Sequence, residues 1–365
     1  MKSTRSVSKP RTDRTADRPV PPSRGAGHRV SMACYLGIDA GGTRTRALVA
    51  GASGKILGRG IAGPANPLKV GFAACERQIL RAANQAVAAV YDRRVSPRLN
   101  PSLKKEEAAL VHRRYSPQSA VIDRRYSISN LGTVVVGLAG VDRPPVHRRL
   151  LRWLTKAIPA RRHLLTSDAA IALAAAIGKR PGIVIIAGTG SIGYAEDGRG
   201  RAYRAGGWGT LYDDAGSGFD LGRKAIVAAL RDYDGRGDRT VLGRKICRAL
   251  KIHDITEVIL KALTPQETAA LFPLVLGAAR EHDAVAKRLC LEAGRELAEL
   301  ALALATRLGW RRREFIVVMA GGVFGASARI RRSFSLALHS ATPRARIVLL
   351  RRPAVEGALA LAVQS

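Results

Sequence analysis

Three apolar runs that each break into glycine at their carboxyl end constrain this chain more than any other feature. They lead into DAGGTRT at 39–45, AGTGS at 187–191 and AGGVFGAS at 320–327. A buried strand that ends in glycine lets backbone N–H groups approach an anion closely. Thr43, Thr45, Thr189 and Ser191 add hydroxyl donors to the first two turns. One such turn is ordinary hairpin chemistry. Three in one chain, two of them bearing hydroxyls, point to a nucleotide phosphate. No GxxxxGK[ST] is present, which excludes a Walker-type site. No GxGxxG opens a helix after the first strand, which argues against a dinucleotide fold.

The pattern around the turns predicts mixed strands and helices. Strands are expected over 35–39, 44–50 and 55–61, a meander with glycine turns at short spacing. A helix over 71–91, a buried strand over 133–138 and an Arg-rich helix over 145–157 follow. A short strand at 163–166 then leads into Ser167-Asp168 and an alanine-rich helix. The second half repeats the theme, with strands at 182–187 and 192–195, a Gly-Trp-Gly loop, and helices from 216 to 309. The longest helix, 282–308, spaces Val285, Leu289, Ala293, Leu297 and Leu304 along one face, with Gly309 as its stop. Phe315 to Met319 reads as the last buried strand. The expected class is α/β, with a first domain over 32–179 plus 351–365 and a second over 180–350. Residues 1–31 have no apolar core and read as a disordered basic tail, and Met32 offers a second start. Residues 92–130 read as a polar insertion.

Charge is the competing signal. The chain has 365 residues, a formal net charge of +33 and a sequence pI near 11.3, which invites a nucleic-acid partner. Its distribution argues otherwise. Residues 1–30 carry a net +6, 91–130 a net +5 and 143–163 a net +7, together more than half of the excess. No aromatic-bearing RNA signature runs among the basic residues, and aromatics make up 5% of the chain. The uncharged stretches, 16 residues over 126–141 and 15 from Pro181 to Ala195, are too short to span a membrane. Cys34, Cys75, Cys247 and Cys290 form no CxxC and no metal-ligand spacing, so a reducing cytoplasm is the expected setting.

The motifs together carry a resemblance. LGIDAGGTRTRALVA at 36–50 resembles the first phosphate motif of the sugar kinase/actin superfamily. IIAGTGSIGYA at 185–195 is similar to its second phosphate motif, and VVMAGGVFGAS at 317–327 to its adenosine motif. GGWGTLYDDAGSGFDLG at 206–222, with GPANP at 63–67, GLAGVDRP at 137–144 and TSDAAIA at 166–172, resembles the N-acetylglucosamine kinase and BadF/BadG/BcrA/BcrD-type ATPase family. The resemblance implies two actin-like (ribonuclease H-like) domains with a nucleotide cleft between them, a homodimer, and transfer of the ATP γ-phosphoryl to an amino sugar. Asp168 would be the general base. Asp39 would hold Mg²⁺ through water. Gly41, Gly42, Thr43, Gly188, Thr189 and Gly190 would cradle phosphate, and Gly321 and Gly322 would leave room for adenosine. Asn66, Ser191, Gly207, Trp208, Gly209 and Asp214 would meet the sugar.

Read without the resemblance, Asp168 could equally be a helix N-cap, Asp39 a turn residue and Trp208 a core residue. The family's GDEGS reads Asp213-Asp214-Ala215-Gly216-Ser217 here, and Asp220 stands where an aromatic is usual, which leaves the sugar open. Two other readings compete. An activator of a CoA dehydratase would need cysteines in glycine-rich contexts to bridge an iron–sulfur cluster, and none of the four fits. A nucleic-acid module would use the basic segments, but a repressor related to sugar kinases would need a helix-turn-helix, and residues 1–31 cannot make one.

Overall fold

β-branched and glycine-terminated runs settle into two sheets in the computed structural model, which describes residues 34–95 and 131–365. The basic tail and nearly all of the polar insertion lie outside the described residues. The first sheet holds β1 (Cys34–Ala40), β2 (Thr45–Gly51), β3 (Ile56–Ala62), β4 (Leu131–Leu138) and β5 (Arg162–Thr166) in the order β3-β2-β1-β4-β5. The second holds β6 (Gly182–Ala187), β7 (Ser191–Glu196), β8 (Ala202–Gly206), β9 (Phe315–Ala320) and β10 (Ala345–Leu349) in the order β10-β9-β6-β7-β8. Each sheet is an antiparallel meander whose first strand is then flanked on its other side by two parallel strands. One topology is therefore used twice.

Helices cover the sheets. α1 (Pro67–Val70), α2 (Phe72–Val95) and α3 (Pro144–Ala157) belong to the first sheet, and its core gathers Leu36, Ile38, Ile79, Val134, Leu150 and Leu154. α4 (Asp168–Ile177) comes next. The second sheet carries α5 (Gly218–Tyr233), α6 (Leu242–Leu250), a 3₁₀ turn (Ile255–Lys261), α7 (Pro265–Ala269), α8 (Phe272–Arg280) and α9 (Ala284–Arg307). α10 (Gly322–Ala326) and α11 (Ala328–Ala341) precede β10. α12 (Ala354–Val363) follows it and packs on β1, β4 and α4. α4 is the alanine-rich helix, and small side chains let it lie between layers. Ala169, Ala172 and Leu173 meet Val184 and Val318 of the second sheet, while Ile171 meets Val135 of the first and Ala358 of α12.

Two strands escape the sequence pattern. The Gly-Trp-Gly segment is preceded by β8, and Phe315–Met319 is followed by β10, so it is not the last strand. Both additions are five-residue edge strands with arginine in them, AYRAG and ARIVL. An edge strand meets solvent on one side and needs no continuous apolar run, so hydrophobicity does not mark it.

Candidate active site

Parallel pairing fixes where the first sheet delivers its polar ends. Asp39 lies opposite Arg46 on one side and Gly137 on the other, and Gly137 in turn pairs with Thr166. The carboxyl ends of β1, β4 and β5 therefore stand side by side. They present Asp39, the 139–143 loop and Asp168 at one edge, the usual place for a ligand in an open α/β sheet. The GPANP loop joins them: Ala65 N donates to Gly41 O at 3.0 Å, and Ala139 N donates to Ala40 O at 3.2 Å.

Asp168 is not the N-cap of its helix. Ser167 is, accepting from Ala170 N through Oγ at 3.1 Å, and Asp168 occupies the first helical position, where Oδ1 accepts from Ala169 N at 2.9 Å. Burial pushes the Asp168 carboxyl up to about 6, with the Asp142 charge adding and the Ala169 N–H and Arg204 opposing. Asp39 is also pushed up to about 6. Burial contributes most, the Asp168 charge adds to it, and Arg46 and Arg44 oppose. Two half-buried carboxylates thus share a raised proton affinity, Asp168 adding to that of Asp39 and Asp142 to that of Asp168, the pattern of a site built to meet a cation or a proton.

The second sheet contributes backbone. Gly188 N donates to Gly190 O at 2.8 Å, Gly218 N to Gly188 O at 2.8 Å and Phe219 N to Thr189 O at 3.1 Å, so the β6–β7 turn is sewn to the start of α5. Asp214, at φ 68°, folds its carboxylate back onto this turn and accepts from Ser191 N at 3.0 Å. A Cβ on Gly190 would stand 2.8 Å from both Asp214 carboxylate oxygens, so only glycine fits. Burial raises the Asp214 carboxyl, the Ser191 N–H opposes this, Asp213 adds, and Lys69 and Arg204 oppose. The Ser191 hydroxyl donates to Ala215 O at 2.8 Å and braces the same loop. Gly321, at φ 96°, brings the end of β9 against β6, where a Cβ would lie 2.2 Å from Ala187 O; Gly322 faces open space.

The remaining expected residues divide. Asn66 caps α1, its Oδ1 accepting from Leu68 N at 3.0 Å, and sits against Gly140. Gly42 and Thr43 are exposed, whereas Thr45, also in the first turn, is buried and donates to Gly63 O at 2.8 Å. Trp208 is 66% exposed, which overturns the core alternative, and its ring lies under the Arg204 guanidinium at 4.7 Å. Gly207 and Gly209 both take positive φ around it. Asp220 proves to be a brace. It accepts from Gly216 N at 3.1 Å and pairs with Arg223 at 2.9 Å and Lys224 at 2.7 Å.

Arg204 is the group that sequence reasoning missed. From β8 it donates through Nε to Gly206 O at 3.0 Å and through a terminal nitrogen to Gly207 O, stacks on Trp208, and reaches Asp142 of the β4–α3 loop at 3.8 Å. One side chain thus shapes the Gly-Trp-Gly loop and touches the other sheet's loop. Its position immediately before GGWG was the available signal.

No group of three or more metal-ligating side chains occurs among the described residues. Mg²⁺ rarely needs such a cage, because one or two carboxylates complete its octahedron with phosphate oxygens and water. Asp39, a hard oxygen donor beside a second carboxylate, fits that role.

Paired sheets of one topology, with glycine turns and carboxylates at their strand ends, define the actin-like (ribonuclease H-like) class of α/β protein. The chain belongs to the BadF/BadG/BcrA/BcrD ATPase family, whose profile matches residues 36–362. An N-acetylmuramic acid/N-acetylglucosamine kinase of Clostridium acetobutylicum is 34% identical over 240 residues, 65% of this chain and 78% of that one. An N-acetyl-D-glucosamine kinase of Dictyostelium discoideum is 27% identical over 301 residues, 80% of this chain and 86% of that one. A solved structure from Chromobacterium violaceum with a provisional N-acetylglucosamine kinase assignment superimposes at a TM-score of 0.68 with 26% identity, covering 92% of this chain and all of that one.

Proposed function

We propose that this chain is an ATP-dependent sugar kinase that phosphorylates the 6-hydroxyl of an amino sugar, N-acetylglucosamine or glucosamine. The observation that carries the reading is Asp168. It stands at the head of a buried helix whose cap is supplied by Ser167, and burial lifts its carboxyl to about 6 beside a second carboxylate. A carboxylate tuned toward neutrality is a competent base at physiological pH. It takes the hydroxyl proton as the sugar oxygen bonds to the γ-phosphorus and the bridging P–O bond to ADP breaks.

The other residues have supporting roles. Backbone N–H groups of the 41–42 and 188–190 turns, with Thr43 and Thr189, bind phosphate oxygens. Asp39 would hold Mg²⁺, which would supply neutralisation of charge on the phosphates. Gly322 opens space for adenosine. Asn66, Asp214 and the Gly207-Trp208-Gly209 loop meet the sugar, and Ser191 acts through the loop that it braces. The two sheets act as lobes, 32–179 with 351–365 and 180–350, that close on substrate and exclude water.

A second substrate has specific support. Lys69 and Arg204 oppose the raised proton affinity of Asp214, so two cations lie within electrostatic reach of a residue assigned to the sugar. They suit an acidic sugar such as N-acetylmuramic acid, which the Clostridium relative's name includes. The activator reading lacks comparable support, because Cys34, Cys75 and Cys290 are buried and Cys247 is half-buried. The test is ADP release with ATP and Mg²⁺ over a panel of N-acetylglucosamine, glucosamine, N-acetylmuramic acid and neutral hexoses. Turnover on an amino sugar at least tenfold above glucose is expected; absence of sugar-dependent ADP release overturns the reading.

A further inference from the structure

The chain passes between its two sheets at two places, residues 178–181 from α4 to β6 and residues 350–353 from β10 to α12. Both crossings border one cavity of about 510 Å³, away from the glycine turns. Its floor is apolar, formed by Ile177, Ile316 and Val348. Its rim carries four arginines and no carboxylate: Arg180 on the first crossing, Arg346 on β10, and Arg351 and Arg352 on the second crossing. Among the described residues, no ion pair joins any of the four to a carboxylate. Arg180 is already aimed, because its Nε donates to Ile177 O at 3.0 Å, which uses one donor and leaves its terminal nitrogens.

All four arginines are exposed, so solvent screens much of their mutual repulsion, and the positive field they leave around the concavity draws an anion. Guanidinium groups present paired donors that match phosphate oxygens, and an apolar floor strengthens each contact by lowering the local dielectric. Four cations exceed the charge of a single phosphate. The concavity also suits a small molecule better than an extended polymer.

We infer that the four-arginine cavity between the crossings binds a small anion carrying two or more phosphate groups. A ligand there bridges both crossings, so it also biases the relative setting of the two sheets. The inference does not rest on the kinase reading, and its test needs no turnover.

Inorganic pyrophosphate is the probe, titrated calorimetrically into the full chain at 0.15 M salt. Arg351→Gln/Arg352→Gln is compared with Arg244→Gln/Arg248→Gln, an equal loss of charge on the exposed face of α6. The Arg351 and Arg352 substitutions should weaken pyrophosphate binding at least tenfold, with the α6 pair within twofold of wild type. Hydrogen exchange should slow at 176–181 and 346–353 when pyrophosphate is added. Equal weakening by both pairs, or protection confined to 188–190, overturns the inference. So does an absence of measurable binding to wild type.

Discussion

The turn after β1 and the turn after β6 occupy equivalent places in two sheets of one topology, yet they are built differently. In the first, Gly42 and Thr43 are exposed, and two carboxylates whose proton affinity burial raises, Asp39 and Asp168, stand beside the turn. In the second, three backbone hydrogen bonds and the Asp214 carboxylate lock Gly188–Gly190 against the head of α5. A duplicated fold has thus divided its labour. The first half supplies ionisable groups whose pKa values are tuned by burial. The second supplies a fixed backbone cradle that requires little side-chain chemistry. Preorganised donors are valuable where charge develops, because they need no reorganisation during reaction.

The sharpest way to break this division is to remove a carboxylate from the first half. Asp168→Asn keeps an acceptor for Ala169 N and removes the base. On the kinase reading kcat should fall about 10³-fold, within the range that general bases contribute. The KM for ATP should stay within about threefold. Steady-state kinetics with the preferred sugar measure both, and an unchanged kcat would refute the assignment. In wild type, kcat/KM should fall as pH drops below about 6, because protonated Asp168 cannot accept the hydroxyl proton.

Next in size is a contrast between the turns themselves. Gly190→Ala drives a methyl against the Asp214 carboxylate, breaks the bond from Ser191 N and strains Asp214, which is already at φ 68°. Leaving such a buried carboxylate short of a donor costs about 1–3 kcal/mol. Gly42→Ala has open space and should cost little. Thermal melts should show the first variant several degrees below wild type and the second within a degree. Equal losses would mean that the two turns are equally rigid and that the contrast fails.

What was readable follows from the same contrast. Glycine at the end of an apolar run is visible in sequence because both the burial and the backbone requirement are local. Hence β1, β6 and β9 were placed by pattern. Edge strands β8 and β10 were not, since pairing on one side leaves room for Arg204 and Arg346. Asp168 could be picked out as a residue, but Ser167 as its cap needed coordinates. Arg204 was invisible because its partners are a loop carbonyl, an exposed ring and a carboxylate from the other sheet, none fixed by spacing. Asp220 looked like a change near the sugar; in the fold it secures Gly216 through contacts that only tertiary structure creates.

The smallest expected effect isolates the electrostatic cost of the first half. Asp39 titrates near 6 in the folded chain against an ordinary value of 3.8, so the folded state binds more protons than the unfolded state between about pH 4 and 6. Stability from this group therefore declines as pH rises through that window, and the full penalty is present above pH 6. Asp39→Asn removes the penalty. Without nucleotide, the variant should be more stable than wild type by about 1–2 kcal/mol at pH 7.5, less than the full shift of two units implies, because the amide is itself a polar group that loses water on burial. The difference should vanish near pH 4, where wild-type Asp39 is protonated in the folded state. Denaturant melts at the two pH values decide it. A variant less stable than wild type at pH 7.5 would mean that Asp39 is held by Arg44 and Arg46 as a structural ion pair, and the first turn would then resemble the second in being built for rigidity.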